Sequence, residues 1–208
     1  MPLQALLAEV HPSWYVRSGE APLEPRLVDA ARRSVLGRRL LARALLASGS
    51  GDALLAPRPG KGLPTAITRW PPARMARLVR DLGVLAHAPV IRAEVRREPV
   101  RRLRRLLGNS YLLALDPTVW DAAVGREVQA RLSANWERLL RETDDARLLA
   151  LFDGQGRNEL RGWAAQRDPA LGEWVALLHE YETAGPAHLP EKPVLLLCTH
   201  HESRPEKA

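Results

Sequence analysis

Between Trp70 and Leu115 apolar residues return with the period of an α-helix, and arginines fill many of the positions between them. Met75, Leu78, Val79, Leu82 and Leu85 fall at i, i+3, i+4, i+7 and i+10, a spacing that gathers them on one helical face. Pro71 and Pro72 suit a helix entry, where a missing N–H costs least. Arg74, Arg77, Arg80 and Asp81 lie mostly on the other side, and Gly83 and Pro89 are expected to loosen or end the helix. A second helix is predicted near Glu98-Pro99, with Val100, Leu103, Leu106 and Leu107 turned inward and Gly108-Asn109 as its stop. Arg97, Arg101, Arg104 and Arg105 then line its outer side. Tyr111 to Leu115 is too apolar for a surface loop, so the stretch reads as a helical hairpin with a basic edge.

The remaining chain follows the same grammar. Residues 2–10 suit a short helix with Leu3, Leu6, Leu7 and Val10 on one face, followed by a turn at His11-Pro12-Ser13-Trp14-Tyr15 in which Trp14 offers a large anchor. Residues 25–47 are helical in pattern, with Gly37 and a phase change suggesting two helices or a kink. Residues 49–72 hold four glycines and five prolines and read as a crossover loop. Asp116-Pro117 reads as a helix start, after which Trp120, Val124, Val128, Leu132, Trp136 and Leu140 recur every fourth residue. That spacing overshoots the helical period by about 40° per step, so the helix must break near Gly125 or its stripe must wrap. Thr143-Asp144-Asp145 suits a cap for a following segment, which Gly154 and Gly156 are expected to interrupt. Asp168-Pro169 opens a last helix with Leu171, Trp174, Val175, Leu178 and Tyr181 on one stripe. Strand signals are almost absent. The predicted fold is all-α: a single helical domain over residues 1–183, with residues 75–86, 99–107, 128–141 and 169–181 helical. An extended or partly disordered tail over residues 184–208 follows, its run Val194–Cys198 docking as an arm.

Composition bounds the function. A hydrophobic share of 46% supports a sizeable core, and a net charge of +7 favours acidic partners such as nucleic acid, anionic lipid or an acidic protein surface. Lysine occurs only at Lys61, Lys192 and Lys207, an arginine bias that a GC-rich genome would produce. One cysteine, Cys198, excludes an internal disulfide framework and fits a reducing compartment. The start MPLQALLAEV has no basic residues before its apolar run, unlike a secretory signal, and no apolar run approaches the ~20 residues of a membrane span.

Reactive motifs are weak. Cys198, His200, His201 and Glu202 are zinc-ligand types, but no paired cysteines stand elsewhere. Arg58-Pro59-Gly60-Lys61-Gly62 lacks phosphate-loop spacing, and His179-Glu180 lacks the second histidine of a zincin helix. His87 is a possible base without an identifiable orienting carboxylate. No catalytic, cofactor-binding or metal residue is therefore assigned. Six arginines within Arg96–Arg105 suit phosphate contacts, and a basic helical nucleic-acid-binding protein is the alternative reading. Against specific nucleic-acid binding, the chain has no helix-turn-helix grammar and no aromatic platform among the basic residues.

His11-Pro12-Ser13-Trp14 near the start, and Val100-x-x-Leu103-x-x-x-Leu107-Gly108-x-x-Tyr111-x-x-Ala114-Leu115 ending a long helical middle, give a resemblance. The chain is similar to the SctK family, the sorting-platform accessory proteins of bacterial type III secretion systems, and within it to the Psc/Ysc branch. The resemblance implies a non-enzymatic cytoplasmic adaptor without cofactor, recruited to the cytoplasmic face of the inner membrane. Its implied partners are the cytoplasmic domain of the ring protein SctD and the pod protein SctQ, and indirectly SctL and the export ATPase SctN. The family brings no contact residues to transfer, so Arg97, Arg101, Arg104, Arg105 and Trp14 are partner-binding candidates from the residues alone. Elemental analysis of the purified protein should find no stoichiometric metal. A chelator should leave its melting curve unchanged, and chelator-sensitive unfolding would revive the Cys198–His201 cluster.

Overall fold

The computed structural model describes residues 3–16, 23–55, 67, 70–142 and 144–203, and every regular element among them is helical. In chain order these are α1 (Leu3–Glu9), α2 (Pro25–Arg33), α3 (Val35–Ala47), α4 (Asp52–Leu55), α5 (Pro72–Ala86), α6 (Ala88–Ala93), α7 (Arg97–Leu107), α8 (Ser110–Leu115), α9 (Arg126–Arg141), α10 (Asp145–Arg167), α11 (Pro169–Leu177) and α12 (Glu191–Ser203), with a 3-10 turn at Pro12–Tyr15. Among the described residues no helix is long and apolar enough to cross a membrane. Most of the proposed crossover loop, including Arg58 to Gly62, lies outside the described residues. The chain divides into two compact units: Met1–Pro72 with Trp163–Ala184, and Ala73–Gly162 with Gly185–Ala208.

In the first unit Leu6, Leu7 and Val10 are buried at the end of α1, and α3 buries Gly37, Leu41 and Leu45. The predicted break in residues 25–47 falls at Ser34 and not at Gly37. Ser34 adopts an extended backbone, and its hydroxyl accepts from the Gly37 N–H at 2.9 Å, so it caps α3. Asp168 caps α11 by accepting from Leu171 N at 3.2 Å. That helix ends at Leu177, short of Tyr181, because the N-terminal segment takes over its carbonyl end. His11 N donates to Leu177 O at 2.7 Å, Trp14 Nε1 to His179 O at 2.8 Å, and Tyr181 N to Ser13 Oγ at 2.8 Å.

In the second unit the predicted stripe of α5 is its core: Met75, Leu78, Val79, Leu82 and Leu85 are all buried. Gly83 does not loosen this helix, nor do Gly154 and Gly156 interrupt α10, which is continuous. Tertiary contact accounts for two of the three. A Cβ on Gly83 would fall inside the Phe152 carbonyl, and one on Gly156 would fall inside that of Val79. The backbones of α5 and α10 therefore meet directly, and Arg80 bonds Asp153 through Nε and Nη2 beside the crossing. The fourfold stripe from Trp120 resolves as a break at Gly125. Asp116 caps a turn by accepting from Thr118 N at 2.8 Å, and the helix proper starts at Arg126. Its buried residues Leu132, Trp136 and Leu139 return to the 3.6 period.

The C-terminal segment corrects the expected extended arm. Residues 180–190 have no regular structure, but 191–203 form α12 with Val194, Leu197, Cys198 and His201 buried. Those positions are i, i+3, i+4 and i+7, and Pro193 is tolerated because it sits in the first turn. Residues 204–208 lie outside the described residues.

The crossing yields a signed prediction. Gly156→Ala forces two backbones apart and should destabilise by about 3 kcal/mol or more, since overpacking costs rise when backbone must move. Gly154, whose added Cβ would meet only an Arg157 nitrogen at 3.8 Å, is the control. Gly154→Ala should stabilise by up to about 1 kcal/mol through helix propensity. Urea unfolding followed by circular dichroism reads both, and equal effects would contradict the crossing.

Candidate functional site

On α7, Leu103 and Leu107 are buried, and Gly108, with φ of 52°, ends the helix. At about 100° per residue, Arg97, Arg101 and Arg104 fall within about 60° of one another, on a flank about 110° around the helix from that buried side. All three are exposed, as is Arg105. Arg101 makes a loose pair with Glu98 at 3.5 Å, and Arg104 lies over the Tyr111 ring at 5.5 Å. Among the described residues no carboxylate pairs with Arg97 or Arg104. Arg105 belongs to a different set: it shares Asp145 with Arg102, at 3.2 and 2.7 Å. The bond from Arg102, with Arg105 adding to it, holds the Asp145 carboxyl below its usual range. Arg96 is likewise engaged, with Glu94 at 2.6 Å and Glu137 at 3.4 Å. The edge predicted from sequence is present, but its available charge narrows to Arg97, Arg101 and Arg104.

Sequence reasoning missed what several other arginines do. Arg92, on α6, donates to Ala114 O at 2.6 Å, Trp120 O at 2.7 Å, Asp121 O at 2.9 Å and Asp116 O at 3.2 Å. Arg102 reaches Glu142 O at 2.6 Å past the end of α9, Arg74 reaches His201 O at 2.5 Å, and Arg32 reaches Leu7 O at 3.1 Å and Val10 O at 2.5 Å. Each closes the carbonyl end of a helix, where backbone acceptors lack intrahelical donors. The partners lie too far along the chain for any local pattern to reveal them.

Three polar clusters bring ionisable groups together. Asp81 accepts from Ser110 Oγ at 2.5 Å and lies 2.8 Å from His201 Nε2, so serine, histidine and aspartate meet. The aspartate stands in the middle, however, and a nucleophilic triad needs the histidine between the other two. Glu159 is buried and accepts from His188 N and Leu189 N at 2.8–3.0 Å and from Gln155 Nε2 at 2.6 Å, which fastens the segment ahead of α12 to α10. His188 in turn sets its Nε2 2.9 Å from Ala86 O, where it acts as donor. His87 is buried, with Nδ1–H donating to Gly83 O at 2.8 Å and its ring against Phe152 and Trp136. Burial pushes its imidazole down to about 4, with His188 and Arg131 adding to the effect and the Gly83 bond opposing it. On α12 the zinc-ligand types part company: Cys198 and His201 face inward, while His200 and Glu202 are exposed. Burial pushes the Cys198 thiol up to about 12, far from a reactive thiolate. Among the described residues no three histidine, cysteine or carboxylate groups gather where a metal ion could be held.

Trp14 is occupied within its own unit. Besides its bond to His179 O, it packs edge-on against Tyr181 with centroids 4.9 Å apart. It anchors the N-terminal segment, as a large amphipathic ring with a satisfied N–H does. Comparison with protein-family models, curated proteins and solved structures finds no match to this chain.

His87 supplies a pH prediction. Its folded state favours the neutral ring, so this contribution to stability is present above pH 6.5 and is lost as pH falls to about 4. The difference in unfolding free energy between wild type and His87→Asn should shrink by about 3 kcal/mol from pH 7 to pH 4. A difference independent of pH would contradict a buried neutral histidine.

Proposed function

We propose that the protein is a non-enzymatic adaptor of a type III secretion sorting platform, joining the inner-membrane ring protein SctD to the pod protein SctQ. On this reading it works on the cytoplasmic face of the inner membrane and meets SctL and the ATPase SctN through SctQ. The observation that carries the adaptor reading is the α7 edge. Three arginines stand exposed and close together on one flank of a helix that Leu103 and Leu107 lock into the core. Such a face is fixed in place by the fold and presents planar donors suited to carboxylates. The secretion assignment is drawn from the sequence resemblance around His11–Trp14 and Val100–Leu115. The clusters that bring ionisable groups together are used as fastenings, which supports a role in binding. The alternative, nucleic-acid binding, is weakened by the carboxylates Glu94, Glu137 and Asp145, which already occupy Arg96, Arg102 and Arg105.

The test uses Arg97→Glu/Arg101→Glu/Arg104→Glu and purified SctD cytoplasmic domain and SctQ, with nuclease present. The variant should keep its helical circular dichroism, yet its affinity for at least one partner should fall about tenfold or more. Wild-type binding should weaken with added salt as exposed charges are screened. Leu103→Asp, by contrast, should unfold the second unit by burying an unpaired charge. Normal recruitment of both partners by the triple variant would place docking elsewhere. Tight nucleic-acid binding, at a Kd of about 10⁻⁸ M, would favour the alternative.

A further inference from the structure

The outer face of α3, in the first unit, is built unlike any ordinary wet helix face. Gly37, Leu41 and Leu45 form its buried stripe, and α3 packs on α1, α2 and the 3-10 turn through that side. At about 100° per residue the opposite side carries Val35, Leu36, Leu40 and Leu46, with Arg39 and Arg43 between them. The four apolar side chains are 61%, 68%, 56% and 45% exposed. Both arginines are exposed, and among the described residues neither has an ion-pair or hydrogen-bond partner. The helix contains no acidic residue at all. A helix apolar on both sides is normally enclosed on both sides, and contiguous exposed apolar surface marks an interaction site.

We propose that this face docks an acidic amphipathic helix of another protein, with Arg39 and Arg43 pairing carboxylates set one turn apart between apolar residues. Charge and geometry select that occupant. A second copy of this chain meeting face to face would set arginine against arginine with no carboxylate on α3 to pair them, so self-association is disfavoured. A membrane surface is disfavoured by the position of the charges. An interfacial helix keeps its basic residues on the rim of the apolar face or beyond it. Here the arginines stand inside the apolar face, so inserting the leucines would drag guanidinium groups into hydrocarbon. Arginine framed by apolar side chains is instead the composition of a protein interface core, where the surrounding contacts exclude water from the ion pair. The two arginines lie about 6 Å apart along the helix axis, the rise of one helical turn, which sets the spacing of the carboxylates they recognise.

The proposal stands on α3 alone and does not require the secretion assignment. The experiment places benzoylphenylalanine at position 40 of the full chain, in cells that make the protein natively, and maps the photo-adduct by mass spectrometry. The expected product joins this chain to a different protein within a helical segment whose carboxylates are one turn apart. Arg39→Glu/Arg43→Glu should lower the adduct yield about tenfold or more while leaving circular dichroism and the unfolding midpoint unchanged. Reversing the partner's two carboxylates to arginine should then restore the yield. A dimer of this chain, a lipid adduct, attachment to a segment without carboxylates, no adduct, or a yield indifferent to the reversals would each overturn the proposal. If the captured acidic helix belongs to no secretion component, this docking face stands and the assignment of the preceding subsection falls.

Discussion

A helix's last four carbonyls have no donor within the helix, and a fold made of short helices must satisfy them repeatedly. Here arginine does much of that work. Arg32 closes α1, Arg92 closes α8 and the loop after it, Arg102 closes α9, and Arg74 closes α12. Five donors on a planar fork let one side chain reach several carbonyls at once, which a lysine ammonium on a flexible stem does less well. Arg92 is the extreme case, gathering four backbone oxygens and so fixing the path from α8 through the turn at residues 117–119. The positive end of each guanidinium also opposes the negative end of the helix dipole. An arginine bias that codon usage could produce thus acquires a structural use.

That use sets one population of arginines apart from another. The clamps are part-buried and spend most of their donors on backbone carbonyls, although Arg102 Nη2 is buried without a partner. Arg97, Arg101 and Arg104 on α7, and Arg39 and Arg43 on α3, are exposed and meet at most one distant carboxylate. The second population has charge to offer a partner, and each group stands on a helix anchored by buried leucines. In the second unit the rigidity beneath this surface begins at the glycine crossing of α5 and α10. Direct contact between the two backbones there leaves no side chain free to yield.

What the sequence disclosed followed from locality. The stripe Met75 to Leu85 was readable because burial of one helix face repeats every 3.6 residues whatever covers it. The outer position of Arg97, Arg101 and Arg104 followed from the same phase. Gly83 and Gly156 misled because propensity marks a glycine as a breaker, while their actual role depends on a helix about 70 residues away in the chain. Residues 184–208 read as an extended tail because prolines and a short apolar run hide the i, i+3, i+4, i+7 pattern of Val194 to His201. Glu159 and Arg92 gave little signal, since apart from Gln155, four residues before Glu159, their partners are 29–30 and 22–29 residues distant. Trp14 could be placed as an anchor, but not against Tyr181.

The division of the arginines is the claim on which both the fold and the binding readings rest, and single Arg→Lys replacements test it most directly. Lysine keeps the charge and loses the fork, so stability should fall only where the fork is used. Unfolding free energies by urea titration should drop about 1–3 kcal/mol for Arg92→Lys and for Arg102→Lys, the range for lost charge-assisted hydrogen bonds. They should stay within about 0.5 kcal/mol of wild type for Arg39→Lys, Arg97→Lys and Arg104→Lys, as at ordinary surface sites. Losses spread evenly over all five positions, or concentrated at the exposed three, would contradict the account.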